Sequence, residues 1–203
     1  MVKVKIAKFY KCVMLLCILF AAPLMGYASS PDDFVRGLSD RLLTELEKNQ
    51  SKLSGNSELA YSIARKVIMP KVDVQGMSRS VLGRKIWTKM NGGQKRDFTK
   101  TFTNLIMKTY SKSLTGYDGD KIKVLPLGSR YKGKSRVVIK SFLIRENGQK
   151  IALKYRMISK GGTWKIYDVS VEGISLLQNF RTQFSAELSR GTIDELITKM
   201  KKN

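Results

Sequence analysis

The sequence predicts an α+β fold in which a four-stranded antiparallel meander sheet has helices packed on one face. Apolar residues recur every three to four positions up to about residue 116, which is the spacing of amphipathic helices. Between about residues 122 and 172 they alternate with polar residues, as in half-buried strands, and helical spacing returns from residue 175. Helices and strands segregated along the chain in this way are typical of α+β proteins.

Residues 1–28 have the organisation of a secretory signal peptide. Four lysines precede an uncharged apolar run at residues 12–25, and Gly26-Tyr27-Ala28 places small residues before a cleavage position. The run of about 14 residues contains Pro23 and is shorter than the roughly 20 residues that span a bilayer. We expect cleavage before Ser29, secretion into the periplasm, and a single domain over residues 29–203.

The first two predicted helices follow this leader. Ser30 is a typical N-cap and Pro31 suits the first helical position, so the first helix is predicted to run to about Lys48. A break rich in serine and glycine follows at 52–56. Helical spacing then resumes and ends at Pro70, because proline cannot continue a helix.

Two further helices are predicted before the strands. A short helix after Asp73 has Met77, Val81 and Leu82 on its inner face. A longer helix begins with the capping-box pair Asn91 and Gln94. Its apolar stripe consists of Phe98, Phe102, Leu105, Ile106, Tyr110 and Leu114.

Four strands and two helices complete the chain. The strands are predicted at 122–127, 135–146, 150–159 and 163–172. Asn147-Gly148 and Gly161-Gly162 are typical of tight hairpin turns and join the last three strands. Helices are predicted to begin at Ser175 and Thr192, each followed three residues later by Gln or Glu.

The composition excludes several classes of enzyme. The sequence has no histidine, and its two cysteines, Cys12 and Cys17, lie in the leader. The mature chain therefore lacks the side chains needed for histidine- or cysteine-based catalysis and for most zinc sites. We expect a protein that is not an enzyme, with no metal site and no cofactor.

The chain is strongly basic, with 38 lysines and arginines against 16 acidic residues and a net charge of +22. A secreted protein does not meet chromosomal DNA, so we expect no nucleic-acid partner, although a salt-dependent nucleic-acid binder is an alternative. Anionic headgroups and acidic proteins are accessible partners. We predict docking through Arg130, Lys132, Lys134 and Arg136, while the alternative is an ordinary solvated surface.

Several segments resemble one family in the same order along the chain. They are Val72-Asp73-Val74 with residues 77–83, the helix 98–110, the block WKIYDVSVEGISLLQNFRTQF at 164–184, and GTIDELITKM at 191–200. Together they resemble the MlaC or toluene-tolerance (Ttg2) family of soluble periplasmic phospholipid carriers. Gly92-Gly93 departs from the proline and acid that open the long helix in relatives.

The resemblance implies a function and a site. It implies an NTF2-like cavity between sheet and helices, and a monomer that shuttles phospholipid between an outer-membrane lipoprotein complex and an inner-membrane ABC transporter, maintaining outer-membrane lipid asymmetry. Phospholipid is then cargo rather than cofactor. The residues expected to line the cavity are Met77, Val81, Phe98, Phe102, Leu105, Ile106, Tyr110, Tyr155, Tyr167, Val169, Val171, Ile174 and Leu177.

The alternative function is a small-molecule isomerase or hydrolase on an NTF2-like pocket, with Asp168 as a single base. Asp168 and Glu172 do not form a catalytic pair, because four residues along one strand separate them by about 13 Å. A hydrogen-bonded structural carboxylate is the other interpretation of Asp168. Ile174 is expected at the mouth of the cavity, between the last strand and the next helix.

Overall fold

The computed structural model describes residues 29–202, so the predicted leader at 1–28 lies outside the described residues. The α-helices are α1 (Pro31–Lys48), α2 (Gln50–Leu53), α3 (Ser57–Val67), α4 (Val74–Lys89), α5 (Gly92–Ser111), α6 (Leu176–Leu188) and α7 (Ile193–Lys202). The strands are β1 (Lys121–Val124), β2 (Arg136–Ile144), β3 (Lys150–Lys160), β4 (Thr163–Val171) and β5 (Ile174–Ser175). Short 3-10 helices occupy Met69–Lys71, Lys112–Gly116 and Gly128–Tyr131.

The predicted caps begin the helices where the sequence indicated. The Ser30 side chain accepts a hydrogen bond from the Asp33 N–H at the start of α1. Asn91 and Gln94 form both hydrogen bonds of the capping box at the start of α5. These contacts satisfy backbone N–H groups that have no partner inside the helix, so they fix the first residue of each element.

Helix α4 is longer than the predicted short helix, which is a correction. It continues to Lys89 through a bend at Gly83, whose φ is 76° and ψ is 163°. Met77, Val81 and Leu82, before the bend, are buried in the helical core, and Ile86 and Trp87, after it, are partly buried against the same core. The bend interrupts the helical spacing, so a search for one continuous apolar stripe detects only the first half.

The sheet is antiparallel, with strand order β1-β2-β3-β4-β5. The α+β fold with a meander sheet is confirmed, but the count of four strands is wrong by one. Strand β5 has two residues, Ile174 and Ser175, and pairs with the end of β4. A strand of this length has no detectable alternation, which is why the sequence did not indicate it.

Three groups of buried side chains form the core. Val35 and Leu38 of α1 pack on Ile139, Met157 and Trp164 of the sheet. A second group joins α1, α2 and α3, and a third joins α4, α5, α6 and α7. No helix within residues 29–202 is long and apolar enough to cross a membrane.

Aromatic rings fill the centre of the third group. The Phe102 and Phe180 rings meet edge to face with centroids 5.2 Å apart, and Phe98 and Phe184 do so at 5.8 Å. Edge-to-face packing is a favoured arrangement of aromatic side chains. The contacts therefore fasten α5 to α6 on one side and leave the other side of α5 to face α3 and β4.

Candidate functional site

An apolar cavity of about 270 Å³ lies between α3, α4, α5 and β4, at the start of α6. Its walls are almost entirely carbon, and we refer to it as the apolar cavity. The residues that line it are Ala64, Ile68, Met69, Val72, Val74, Met77, Thr103, Ile106, Met107, Tyr110, Ser111, Leu114, Ile166, Asp168, Val169 and Leu176. Such a space suits a ligand with long apolar groups, because apolar surface gains free energy when it leaves water.

Four of the expected lining residues lie on the wall of the apolar cavity. They are Met77 of α4, Ile106 and Tyr110 of α5, and Val169 of β4. The two α5 residues are four positions apart and share one face of the helix. Burial raises the pKa of Tyr110, so its hydroxyl remains protonated at neutral pH.

Five others lie in or against the helical core. Val81, Phe98 and Phe102 are almost completely buried among α4, α5, α6 and α7, and Leu177 packs against the same group. Leu105 lines a separate space of about 260 Å³ beside α6 and α7. Other side chains surround these residues in the structure. Their contact with lipid stays a prediction.

The remaining four are distributed along the sheet. Tyr155 packs against the group between α1 and the sheet, and Tyr167 packs against the helical core and lines a groove beside β2. Val171 and Ile174 are 39% and 66% exposed, at the junction between β4 and β5. Ile174 therefore lies between the last long strand and α6, but it does not line the apolar cavity as the structure has it.

Sequence analysis missed the segment between α3 and α4. Ile68, Met69 and Val72 surround Pro70 and contribute one wall of the apolar cavity. A signal was present, because these apolar residues flank a proline between two predicted helices, and apolar side chains are often buried. Met107 and Leu176 were also missed, although each adjoins a residue of the expected set in the sequence.

Asp168 borders the cavity and is 1% exposed. Its Oδ2 accepts a hydrogen bond from the Ser175 hydroxyl at 2.7 Å and lies 3.9 Å from Arg156 Nε. Its Oδ1 accepts from the Leu177 N–H at 3.1 Å. Both oxygens are thus engaged with the start of α6, which favours the structural interpretation of this carboxylate over that of a base.

A cleft of about 470 Å³ adjoins the apolar cavity, and we call it the cationic cleft. Met69, Val74, Thr103 and Met107 line both spaces and form their common boundary. Beyond that boundary the lining residues are Tyr61, Arg65, Gln75, Trp87, Lys95, Arg96, Thr99, Lys100 and Asn104. A space lined by carbon therefore lies directly beside one lined by four basic side chains.

Contacts between helices shape the cationic cleft. Arg65 Nη1 donates a hydrogen bond to the Tyr61 hydroxyl at 3.3 Å, and that hydroxyl donates to Asn104 Oδ1 at 3.4 Å. On another wall, Lys95 Nζ lies 5.9 Å from the centroid of the Trp87 ring. The first set of contacts links α3 to α5 and the second links α4 to α5.

The predicted docking residues lie in the segment before β2 and at its first residue. Arg130, Lys134 and Arg136 line a groove of about 540 Å³ together with Val138 and Tyr167, and Lys132 is exposed on the same loop. Arg130 Nε donates to the Leu127 carbonyl at 2.9 Å, which holds its guanidinium against the loop. Within residues 29–202, no group of three or more acidic residues could hold a metal ion.

Comparison with known proteins identifies two relatives with similar sequences. A toluene tolerance protein, ttg2D, of Pseudomonas putida is 30% identical over 181 residues, which cover 89% of this chain and 83% of the relative. The intermembrane phospholipid transport system binding protein MlaC of Haemophilus influenzae is 30% identical over 179 residues, covering 86% and 82%.

A solved structure has the same fold. The phospholipid-binding protein from Ralstonia solanacearum, in complex with a phospholipid, superimposes with a TM-score of 0.78 at 22% identity, over 86% of this chain and 96% of that one. The family model described as MlaC protein matches residues 36–202, which include every element that lines the apolar cavity. The chain therefore belongs to the MlaC family.

Proposed function

We propose that this protein is a periplasmic phospholipid carrier that shuttles phospholipid between an outer-membrane lipoprotein complex and an inner-membrane ABC transporter, and so maintains outer-membrane lipid asymmetry. The observation that carries the proposal is the apolar cavity between α3, α4, α5 and β4 in a chain of the MlaC family. A relative named for intermembrane phospholipid transport and a structural neighbour in complex with a phospholipid support it.

The free energy of the cargo explains why such a carrier needs an apolar cavity. Removing a methylene group from water is worth about 0.8 kcal/mol, so two 16-carbon tails represent roughly 25 kcal/mol. Release into water is negligible, and exchange must occur while the carrier touches a membrane or a membrane complex. The role requires binding and no bond-making, so the protein acts as a monomeric carrier rather than an enzyme, with lipid as cargo and no cofactor.

The proposed tail-binding wall consists of five residues that line the apolar cavity. Met77, Ile106, Tyr110 and Val169 supply side chains from three different elements. Leu176 closes the end of the cavity near β5. We place the acyl chains against these five residues. The leader directs the protein to the periplasm and is removed there by cleavage before Ser29.

Two neighbouring positions of α5 provide a matched test. Ile106 lines the apolar cavity, whereas Leu105 lines the separate space of about 260 Å³ beside α6 and α7. Ile106→Trp should fill part of the cavity and lower the amount of phospholipid bound per chain by more than half. Leu105→Trp adds the same bulk next to a space of similar volume, so it should leave bound phospholipid at the wild-type amount.

Extraction and quantification of phospholipid from both purified variants measures the difference. Circular dichroism on the same samples establishes that each variant is folded. Equal lipid content in the two folded variants would contradict the assignment of the tails to the apolar cavity. Loss of lipid only in Leu105→Trp would move the tails to the space beside α6 and α7.

A further inference from the structure

We propose that the cationic cleft holds the phosphate headgroup of the cargo and makes the carrier prefer anionic phospholipids to zwitterionic ones. This inference rests on the proposed function, because it assigns the end of the lipid that the apolar cavity does not hold. Three observations carry it: the boundary shared by the two spaces, the change of polarity along α5, and the absence of acidic residues among those that line the cleft.

The first two observations concern the path between the spaces. Arg96 and Lys100 lie one turn apart on α5 and line the cleft, Thr103 and Met107 lie at the boundary, and Tyr110 lies in the cavity. One helix face therefore changes from cationic to apolar over about 20 Å, given a rise of 1.5 Å per residue. A phospholipid has the same order of chemistry along its length, from a charged headgroup to apolar tails.

The third observation concerns charge. Arg65, Lys95, Arg96 and Lys100 face the cleft from α3 and α5, and no aspartate or glutamate is among the described residues that line it. None of the four takes part in an ion pair within the described part of the chain. With no carboxylate on the walls of the cleft, the positive potential of these four side chains attracts a phosphate anion.

This arrangement distinguishes between headgroups. Phosphatidylglycerol and phosphatidylethanolamine both carry a phosphodiester, but phosphatidylethanolamine also carries an ammonium group that four neighbouring cations repel. Free phosphate shares the anionic chemistry with a lipid headgroup. The adjoining apolar cavity favours the phosphate that has tails attached, since only that ligand occupies both spaces.

A competition experiment tests the proposal. The full mature protein is equilibrated with vesicles of equal phosphatidylglycerol and phosphatidylethanolamine content, and native mass spectrometry measures the ratio of the two lipids bound. We expect the wild type to be enriched in phosphatidylglycerol. Replacing Arg65, Lys95, Arg96 and Lys100 with glutamine should lower that enrichment at least about fivefold, from exposed-ion-pair energies summed over four sites.

The matched control removes the same number of charges elsewhere. Arg41, Lys48, Lys52 and Lys112 are exposed and do not line the cleft, so their glutamine variant should keep the wild-type lipid ratio. The total lipid per chain should be unchanged in both variants. A salt series on the wild type gives a second measurement that needs no variant, because screening should reduce the enrichment as ionic strength rises.

Each outcome separates the headgroup site from the proposed function. A wild type that binds both lipids in the vesicle ratio at low and high salt would overturn the headgroup site and leave the carrier function intact. A wild type without bound lipid would overturn both. If calorimetry detects inorganic phosphate bound to the wild type but not to the cleft variant, while the wild type binds the two lipids in the vesicle ratio, the cleft binds free phosphate instead, and the headgroup assignment is wrong.

Discussion

At the scale of single residues, Asp168 connects β4 to the helix that follows it. The carboxylate is buried and accepts hydrogen bonds from the Ser175 hydroxyl and the Leu177 N–H, two groups at the N-terminus of α6. A negative charge at that end of a helix also interacts favourably with the helix dipole. Leu176 lies between Ser175 and Leu177 in the sequence and lines the apolar cavity. The two hydrogen bonds of Asp168 therefore also hold Leu176 in place at the cavity wall.

Asp168→Ala should lower the free energy of unfolding by about 1.5–3 kcal/mol, because it leaves buried donors without their charged acceptor. Asp168→Asn keeps the shape and one carbonyl oxygen, so its effect should be smaller. Urea unfolding followed by circular dichroism measures both. An alanine variant as stable as the wild type would show that these hydrogen bonds do not hold the start of α6.

Residue types alone did not determine which apolar side chains line the cavity. Ile106 lines it and Leu105 does not, although both belong to the apolar stripe of α5 and are only partly buried. That stripe is wide enough to face two neighbours, the α6–α7 pair on one side and the cavity on the other. Helical periodicity indicates which residues point toward the interior of the protein. It does not indicate whether such a residue meets packed side chains or an empty cavity.

At the scale of secondary-structure elements, both halves of the bent helix α4 contribute to the cationic cleft. Val74 and Gln75, before the bend, and Trp87, after it, line the cleft, while Val74 and Met77 also border the apolar cavity. Gly83 at the bend has φ 76° and ψ 163°, a backbone conformation that is essentially restricted to glycine. The sequence therefore requires glycine at this position for a reason of geometry.

Gly83→Ala should lower the free energy of unfolding by about 1–3 kcal/mol, because alanine is strained at that conformation. Gly37→Ala provides the control, since Gly37 lies exposed within α1 and an added Cβ would meet no atom within 4 Å. The control should be neutral or stabilising by up to about 1 kcal/mol. Denaturant unfolding of both variants compares them, and equal stability would mean that the bend does not depend on glycine.

Elements with their own local signals were predictable. The Asn91–Gln94 capping box and the Gly161-Gly162 turn, with both φ values positive, act through atoms a few residues apart. Strand β5 and the second half of α4 were not predictable, because they exist through pairing with β4 and through a bend. The sequence pattern therefore identified what local chemistry determines and missed what contacts between distant segments determine.

At the scale of the whole molecule, the basic charge is distributed over several surfaces. Four cations line the cationic cleft, and Arg130, Lys132, Lys134 and Arg136 occupy a loop and strand end at another place. We propose that this second group docks the protein on anionic membranes or acidic partner complexes. Exposed charges of one sign accelerate encounters with an oppositely charged surface, and salt screens that effect.

Replacing these four docking residues with glutamine should lower the rate of lipid transfer to anionic vesicles at low salt by on the order of tenfold. The same change should make the rate less dependent on salt and leave bound lipid per chain unchanged. Fluorescent-lipid transfer at several salt concentrations measures this. The control variant removes four exposed charges elsewhere, Arg41, Lys48, Lys52 and Lys112. Similar transfer rates for the two variants would show that net charge, and not this loop, sets the rate.

The central claim is that the apolar cavity carries phospholipid, and the native mass of the wild-type protein tests it most directly. The mature chain purified from a bacterial envelope fraction should have a mass that exceeds the polypeptide by about one phospholipid, because an empty apolar cavity is unfavourable in water. Organic extraction of the same sample should recover an equal molar amount of lipid. A native mass equal to that of the bare polypeptide, with no more extractable lipid than an unrelated secreted protein contains, would contradict the account.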